Sequence, residues 1–180
     1  MDFDLADSSV TETLGQALAR SFLKATLEAA GPGAAQTDAR SAGAVIYLEG
    51  DLGAGKTTCV RSLLRTLGVA GLVRSPTYTL VETYRLAAFT CVHIDLYRLQ
   101  ALTEVDELGV RDVAGPGCLL LVEWPERGAT ALPPADVELI LTYAGEGRQA
   151  RAIAKTALGS LWLKNLGHDS KLVPYVSNSP

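Results

Sequence analysis

Gly50-Asp51-Leu52-Gly53-Ala54-Gly55-Lys56-Thr57 is the stretch that decides how this chain folds. It satisfies the pattern GxxxxGK[ST]. The β-prone run AVIYLE (44–49) precedes it, and Val60, Leu63, Leu64 and Leu67 follow at helical spacing until Gly68 stops the helix. A phosphate cradle needs that strand–loop–helix context. Glycines leave main-chain N–H groups free to surround phosphate oxygens, and a helix starting near Gly55 turns its positive dipole end toward them. Composition alone produces such a match in about one chain of this length in a hundred, so the flanking strand and helix supply the specificity. The alternative is a Gly-rich turn whose lysine faces solvent, and the context weighs against it.

On this reading Asp51, Leu52, Gly53, Ala54, Gly55, Lys56, Thr57 and Thr58 are expected to hold ATP. Lys56 should reach the β- and γ-phosphates, and the Thr57 hydroxyl should ligate Mg2+.

Working outward, Leu14, Ala17, Leu18, Leu23 and Leu27 recur at helical spacing, which predicts an amphipathic helix over 11–30 with Ser9 or Thr11 as N-cap. Residues 31–43 (GPGAAQTDARSAG) lack periodicity and read as a flexible linker. The runs 78–85 and 89–98 read as strands of a hairpin across Leu86–Ala88. Residues 101–113 read as a short helix capped by Thr103 and stopped by Gly109. CLLLVEW (118–124) is a continuous apolar run, expected of a strand covered on both faces. Asp136–Tyr143 and Arg148–Lys155 flank the turn signal AGEG as a second hairpin, and a short helix near Leu158–Leu166 precedes a tail expected to fray.

The expected architecture is a three-layer α/β P-loop domain with a mostly parallel central sheet, antiparallel hairpin strands, and the site at the carboxyl ends of the strands. It comprises one domain over 1–167, made of the helix 11–30, the linker 31–43, a nucleotide-binding core over 44–155 and a C-terminal helix over 156–167. Residues 168–180 form a tail.

Two carboxylates are placed to assist. Glu123 closes the run LLLVE, where an acidic residue at the end of a buried strand beside the loop can hold magnesium directly or through water; otherwise it turns toward solvent. Asp95 closes the strand ending HID and could orient the attacking water; otherwise it caps or pairs with Arg98. Within SPTYTL (75–80), Pro76 restrains Ser75 and presents Thr77 on a constrained loop, where its hydroxyl either senses the γ-phosphate or lies in an ordinary loop. Trp124 either shapes the nucleotide pocket or fills core. His93 and His168 have no partner at metal-ligand spacing and are expected to be structural or solvated.

Composition bounds the rest. A chain of 180 residues supports one sizeable core, burying roughly 70% of its unfolded surface. Apolar residues make up 48%, charged residues 20%, and the mean hydropathy is +0.18, so the chain reads as globular. A net charge of -4 and pI near 5.2 speak against a free-standing nucleic-acid binder, which needs Lys and Arg to displace counterions. No signal-peptide pattern and no long apolar run is present, so a cytoplasmic protein without membrane partners is expected. Cys59, Cys91 and Cys118 are odd in number, widely spaced and set among apolar neighbours, which predicts core residues.

The segments GDLGAGKTT, SPTYTL, HIDLYR, ELG-x-RD at 107–112 and LVEWPERG occur in the order seen in a known family over roughly 44–155. The chain resembles the bacterial ATPase component of tRNA threonylcarbamoyladenosine biosynthesis, TsaE (earlier YjeE). The resemblance implies a weak, Mg2+-dependent ATPase. It would act with a Kae1-type threonylcarbamoyl transferase (TsaD) and its paralogous scaffold (TsaB) on adenosine beside the anticodon of tRNAs that read codons starting with A. The tRNA would be held mainly by those partners. By position, Lys56 matches the family's phosphate-binding lysine, Thr57 and Glu123 its magnesium ligands, Asp95 its essential acidic residue and Thr77 its switch threonine. Trp124 matches the tryptophan beside the nucleotide. Residues 31–43 and the tail after about 167 depart from the family pattern.

Two other functions fit the cradle. A small-molecule kinase would need a lid of arginines, for which Arg61, Arg65, Arg85 and Arg98 are available. A non-catalytic module would use ATP only to order a docking surface. The absence of an NKxD-like segment argues against a GTPase.

Overall fold

The apolar run at 44–49 becomes strand β2 (Ala44–Glu49) in the middle of a sheet, with Ala44, Ile46 and Leu48 facing one core and Val45 the other. The computed structural model describes residues 1–31 and 43–177; apart from its two end glycines, the linker expected at 31–43 lies outside them. Among the described residues the sheet also contains β1 (Asp2–Leu5), β3 (Val81–Arg85), β4 (Thr90–Asp95), β5 (Cys118–Glu123), β6 (Val137–Ala144) and β7 (Gly147–Ala154). The spatial order is β1-β7-β6-β2-β5-β4-β3.

Strands β6, β2, β5 and β4 are parallel neighbours, whereas β3, β7 and β1 each pair antiparallel. The four central strands are thus parallel and the hairpin strands antiparallel, as expected, and the seven-stranded sheet as a whole is mixed. Each hairpin adds one reversed strand, and β1 adds a further antiparallel pairing beyond β7. The β1 strand was not expected because four residues, DFDL, give a weak alternation, although Phe3 and Leu5 are buried and Asp4 is exposed.

Helices α1 (Ser8–Ala30), α2 (Lys56–Thr66) and α6 (Ala157–Leu166) build the core on one face of the sheet. The shorter α3 (Leu102–Glu107), α4 (Val110–Val113) and α5 (Pro125–Gly128) cover the opposite face, where Val105 and Val110 pack on Val92, Ile94, Leu120 and Val122. On the first face α1 lies directly on α2: a methyl at Gly15 would stand 2.3 Å from the Cys59 carbonyl oxygen, and the Ser62 hydroxyl donates to the Glu12 carbonyl at 2.7 Å. Trp162 of α6 is wholly buried, donates Nε1–H to the Leu18 carbonyl at 2.9 Å and leans on Phe22. The three cysteines are free and buried, and burial pushes the Cys59 and Cys91 thiols up to about 12, which makes them inert packing groups.

Local boundaries differ where a side chain competes with a pattern. Helix α1 starts at Ser8 because the Asp7 carboxylate, not Ser9 or Thr11, accepts from Ser9 N at 2.7 Å and Val10 N at 3.1 Å. Helix α3 is capped at Ala101, not Thr103, because the Glu104 carboxylate reaches back to Gln100 N and Ala101 N. Gly109, at φ 60°, stops α3 as expected, and the separate short helix α4 follows it. The strand expected from 78 starts only at Val81, since Leu80 turns at φ 61° and its N–H returns to the Pro76 carbonyl at 2.6 Å. Likewise β4 stops at Asp95, whose carboxylate accepts from Tyr97 N at 3.0 Å. At the carboxyl end, Val176 bridges to Phe3 and Ser177 N donates to the Asp2 carbonyl at 2.8 Å, so this part of the tail is tied to β1.

Candidate functional site

Strand register assembles the site. In the parallel ladders, Glu123 of β5 lies opposite both Leu48 of β2 and Asp95 of β4, so the chain leaves β2 into the 50–55 loop directly beside two carboxylates. Period-two alternation puts Asp95 and Glu123 on the sheet face that also carries Cys91, Leu119 and Leu121 and is covered by α2.

The loop needs glycine at its start: Gly50 has φ 130°, and a methyl there would lie 2.0 Å from the Leu141 carbonyl oxygen. Gly55, at φ 110°, caps α2 with no side-chain hydrogen bond, leaving the first helical N–H groups to face the loop. Tyr143, near the end of β6, donates its hydroxyl to the Leu52 carbonyl at 2.9 Å and braces the loop from outside.

Lys56 is the first residue of α2, and its side chain lies inside the loop. The ammonium donates to the carbonyls of Gly50 and Asp51, the latter at 2.9 Å, and stands 3.8 Å from the centroid of the Trp124 ring. Burial lowers its pKa, and the carboxylates of Glu123 and Asp95 oppose that shift. The Thr57 hydroxyl lies 2.9 Å from both Glu123 carboxylate oxygens. Glu123 is only 2% exposed and also accepts from His93 Nε2 at 2.9 Å.

Asp95 does not pair with Arg98. One of its oxygens accepts from the Ser75 hydroxyl and, at 2.9 Å, from the Thr77 hydroxyl; the other accepts from Tyr97 N. Arg98 instead stacks on Tyr78, its guanidinium carbon 4.3 Å from the ring centroid. The SPTYTL segment is thus fastened to the end of β4 through Asp95.

These groups surround a cleft of about 590 Å3, within the range of small-molecule sites. Leu52, Gly53, Gly55, Lys56, Thr57, Thr58, Thr77, Asp95, Glu123 and Trp124 all line it. Asp51 and Ala54 do not; Ala54 is fully buried, and the Asp51 carbonyl is occupied by Lys56 and by Ala54 N. Trp124, left open between pocket and core, forms part of the wall. Of the four arginines considered for a lid, only Arg98 lines the cleft, while Arg61 is spent on the Val73 carbonyl.

Sequence reasoning missed His93, Ser75 and Tyr143 as parts of the site. His93 carried one usable signal, since in HID it stands two residues before Asp95 and so shares its face of the strand. Ser75 had none beyond its proline neighbour, and Tyr143 none at all, because its contact with the loop depends on β6 pairing with β2 across a long sequence separation. Among the described residues no helix is long and apolar enough to cross a membrane.

The family model described as "Threonylcarbamoyl adenosine biosynthesis protein TsaE" matches residues 5–153. A Haemophilus influenzae protein named "tRNA threonylcarbamoyladenosine biosynthesis protein TsaE" is 45% identical over 115 residues, covering 64% of this chain and 73% of the relative. Proteins of the same name from Bacillus subtilis and Synechocystis are 35% and 38% identical over 118 and 131 residues, covering 66% and 71% of this chain and 72% and 71% of theirs. The crystal structure of Bacillus subtilis YdiB has the same fold, with a TM-score of 0.66 at 24% identity over 93% of each chain.

Proposed function

This chain belongs to the TsaE family of threonylcarbamoyl adenosine biosynthesis proteins, and from that premise we propose that it is a P-loop ATPase required to form threonylcarbamoyladenosine beside the anticodon. The relatives' names place them in tRNA threonylcarbamoyladenosine biosynthesis. The proposed partners are a TsaD-like transferase and a TsaB-like scaffold, which would hold the tRNA in place of this acidic chain.

The observation that carries the ATPase reading is the convergence of Lys56, Thr57, Asp95 and Glu123 in one cleft where the parallel strands end. The donor set fits magnesium. Thr57 and Glu123 offer a hydroxyl and a buried carboxylate within 2.9 Å of each other, and no trio of His, Cys, Asp and Glu among the described residues forms a ready cation cage. A hard dication that takes its remaining ligands from phosphate and water suits such a sparse protein contribution. When bound, it would neutralise charge on the β- and γ-phosphate oxygens.

The chain's own residues do the rest. Lys56 exchanges the Gly50 and Asp51 carbonyls for phosphate oxygens, and the loop's N–H groups and the α2 amino end surround them. Asp95 orients the attacking water, and Thr77, hydrogen-bonded to it, couples the SPTYTL segment to the γ-phosphate position. Hydrolysis resets the assembly and need not be fast. The single lining arginine offers no lid for a kinase.

The test has two stages. Calorimetry with ATP and excess magnesium should give a heat of association, and its absence removes the reading. In a reconstituted complex, Asp95→Asn should then support nucleotide binding without repeated rounds of tRNA modification. Full multi-turnover modification by that variant would show that hydrolysis is dispensable.

A further inference from the structure

We infer that His93 is a positioning residue for the magnesium-binding carboxylate: its Nε2–H, wholly buried beneath α2, fixes Glu123 in the orientation that faces Thr57. The inference rests on the proposed magnesium role of Glu123 and extends it to a residue that touches neither nucleotide nor cleft. His93 is 0% exposed and absent from the residues lining the site. It stands two register positions below the carboxylates, opposite Leu121, while Asp95 and Glu123 face each other at the strand ends.

The geometry defines the tautomer. Nε2 lies 2.9 Å from the Glu123 Oε1 atom, whereas Nδ1 is buried without a hydrogen-bond partner among the described residues. A proton on Nδ1 would be a buried donor with no acceptor, the costlier orphan in a site where the other nitrogen faces a carboxylate. The proton therefore belongs on Nε2. Glu123 Oε1 then accepts from His93 Nε2, and the single Thr57 hydroxyl proton is shared between Oε1 and Oε2, each 2.9 Å away. The asymmetry pins one carboxylate oxygen to the sheet interior and leaves the other less encumbered. Without His93, Glu123 would keep Thr57 as its only hydrogen-bonding partner among the described residues and could rotate about its terminal torsion, a broad and soft coordinate.

Groups behind a metal ligand, when removed, cost about 10- to 100-fold in metal affinity. The experiment compares ATP affinity with magnesium and in EDTA for the wild type, His93→Leu, His93→Gln and Glu123→Ala, with thermal midpoints recorded for each. The inference expects His93→Leu to lose about 10- to 100-fold of the magnesium-dependent gain while ATP affinity in EDTA stays at the wild-type value. His93→Gln should restore most of the gain, since its amide nitrogen reaches the place of Nε2. A full gain in His93→Leu, with the gain lost in Glu123→Ala, overturns the role of His93 and leaves the magnesium reading standing. A full gain in Glu123→Ala overturns the reading on which both rest.

Should His93→Leu fail to fold, nitrogen-15 NMR of the wild-type imidazole decides the matter. A protonated Nε2 and a bare Nδ1 support the inference, and a bare Nε2 overturns it.

Discussion

The Lys56 ammonium sits 3.8 Å from the centroid of the Trp124 ring, and Trp124 reaches that place through a left-handed backbone at φ 60°, a conformation disfavoured for a bulky side chain. Its N–H is anchored to the Leu48 carbonyl at 3.2 Å, so the turn after β5 is tied to the end of β2. Strain at this residue lets the indole face the lysine and wall the cleft, where a regular continuation of β5 would carry it elsewhere.

Holding Lys56 in that environment costs the free protein stability. Burial lowers its pKa from 10.5, so between the lowered value and 10.5 the unfolded chain binds a proton that the native chain has released, and stability rises with pH there. Below that window both states are protonated, and the native state bears the full cost of the buried charge. Lys56→Met should therefore raise the thermal midpoint of the nucleotide-free protein at neutral pH and abolish ATP binding. Its advantage over the wild type should shrink as pH climbs toward 10.5. A lower midpoint in the Met variant would mean that the carbonyl and ring contacts outweigh the desolvation.

Ser75 should matter for the loop it begins. Its hydroxyl donates to Asp95, a carboxylate only 3% exposed, and hydrogen bonds to charged groups contribute about 1.5–3 kcal/mol. Thr77 and Tyr97 N remain as donors, so Ser75→Ala should cost about 1.5 kcal/mol, the low end of that range. Amide exchange across 77–80 should quicken. Unchanged protection of these amides, with an unchanged denaturation midpoint, would show that Thr77 alone secures the segment.

The carboxyl-terminal segment should confer an acid-sensitive increment of stability. Arg20 of α1 grips Asp169 at 2.8 and 3.0 Å, and this hydrogen bonding holds the Asp169 carboxyl below its usual 3.8, against the opposing effect of burial. Because the folded value is depressed, the contribution is complete above 3.8 and disappears as pH falls through the folded value. Asp169→Asn should lose about 1 kcal/mol at neutral pH, and chemical-denaturation curves of variant and wild type should converge in acid. A gap independent of pH would place the effect elsewhere.

Much of the site was legible because its chemistry is local in sequence. The cradle, Lys56 and Thr57 occupy one continuous stretch, and the apolar run before Glu123 announced a buried strand ending in a carboxylate. The boundaries that differed did so through single side chains: Asp7 took the cap from Ser9, Glu104 reached back to cap α3, and the turn at Leu80 shortened β3. Periodicity records burial averaged over several residues, and such competitions between neighbouring hydrogen-bonding groups fall below its resolution.

The amino-acid sequence alone determined the loop, the kind of elements around it, the cysteines as core and the residue types that could meet phosphate and cation, since these depend on neighbours a few positions apart. Tertiary structure decided which of the open alternatives held. Strand register set Asp95 opposite Glu123, freed Asp95 from Arg98, placed His93 against Glu123 and turned Trp124 toward Lys56. The physical reason is that pairing in a parallel sheet joins residues through long crossovers, and no local pattern encodes which two strands become neighbours.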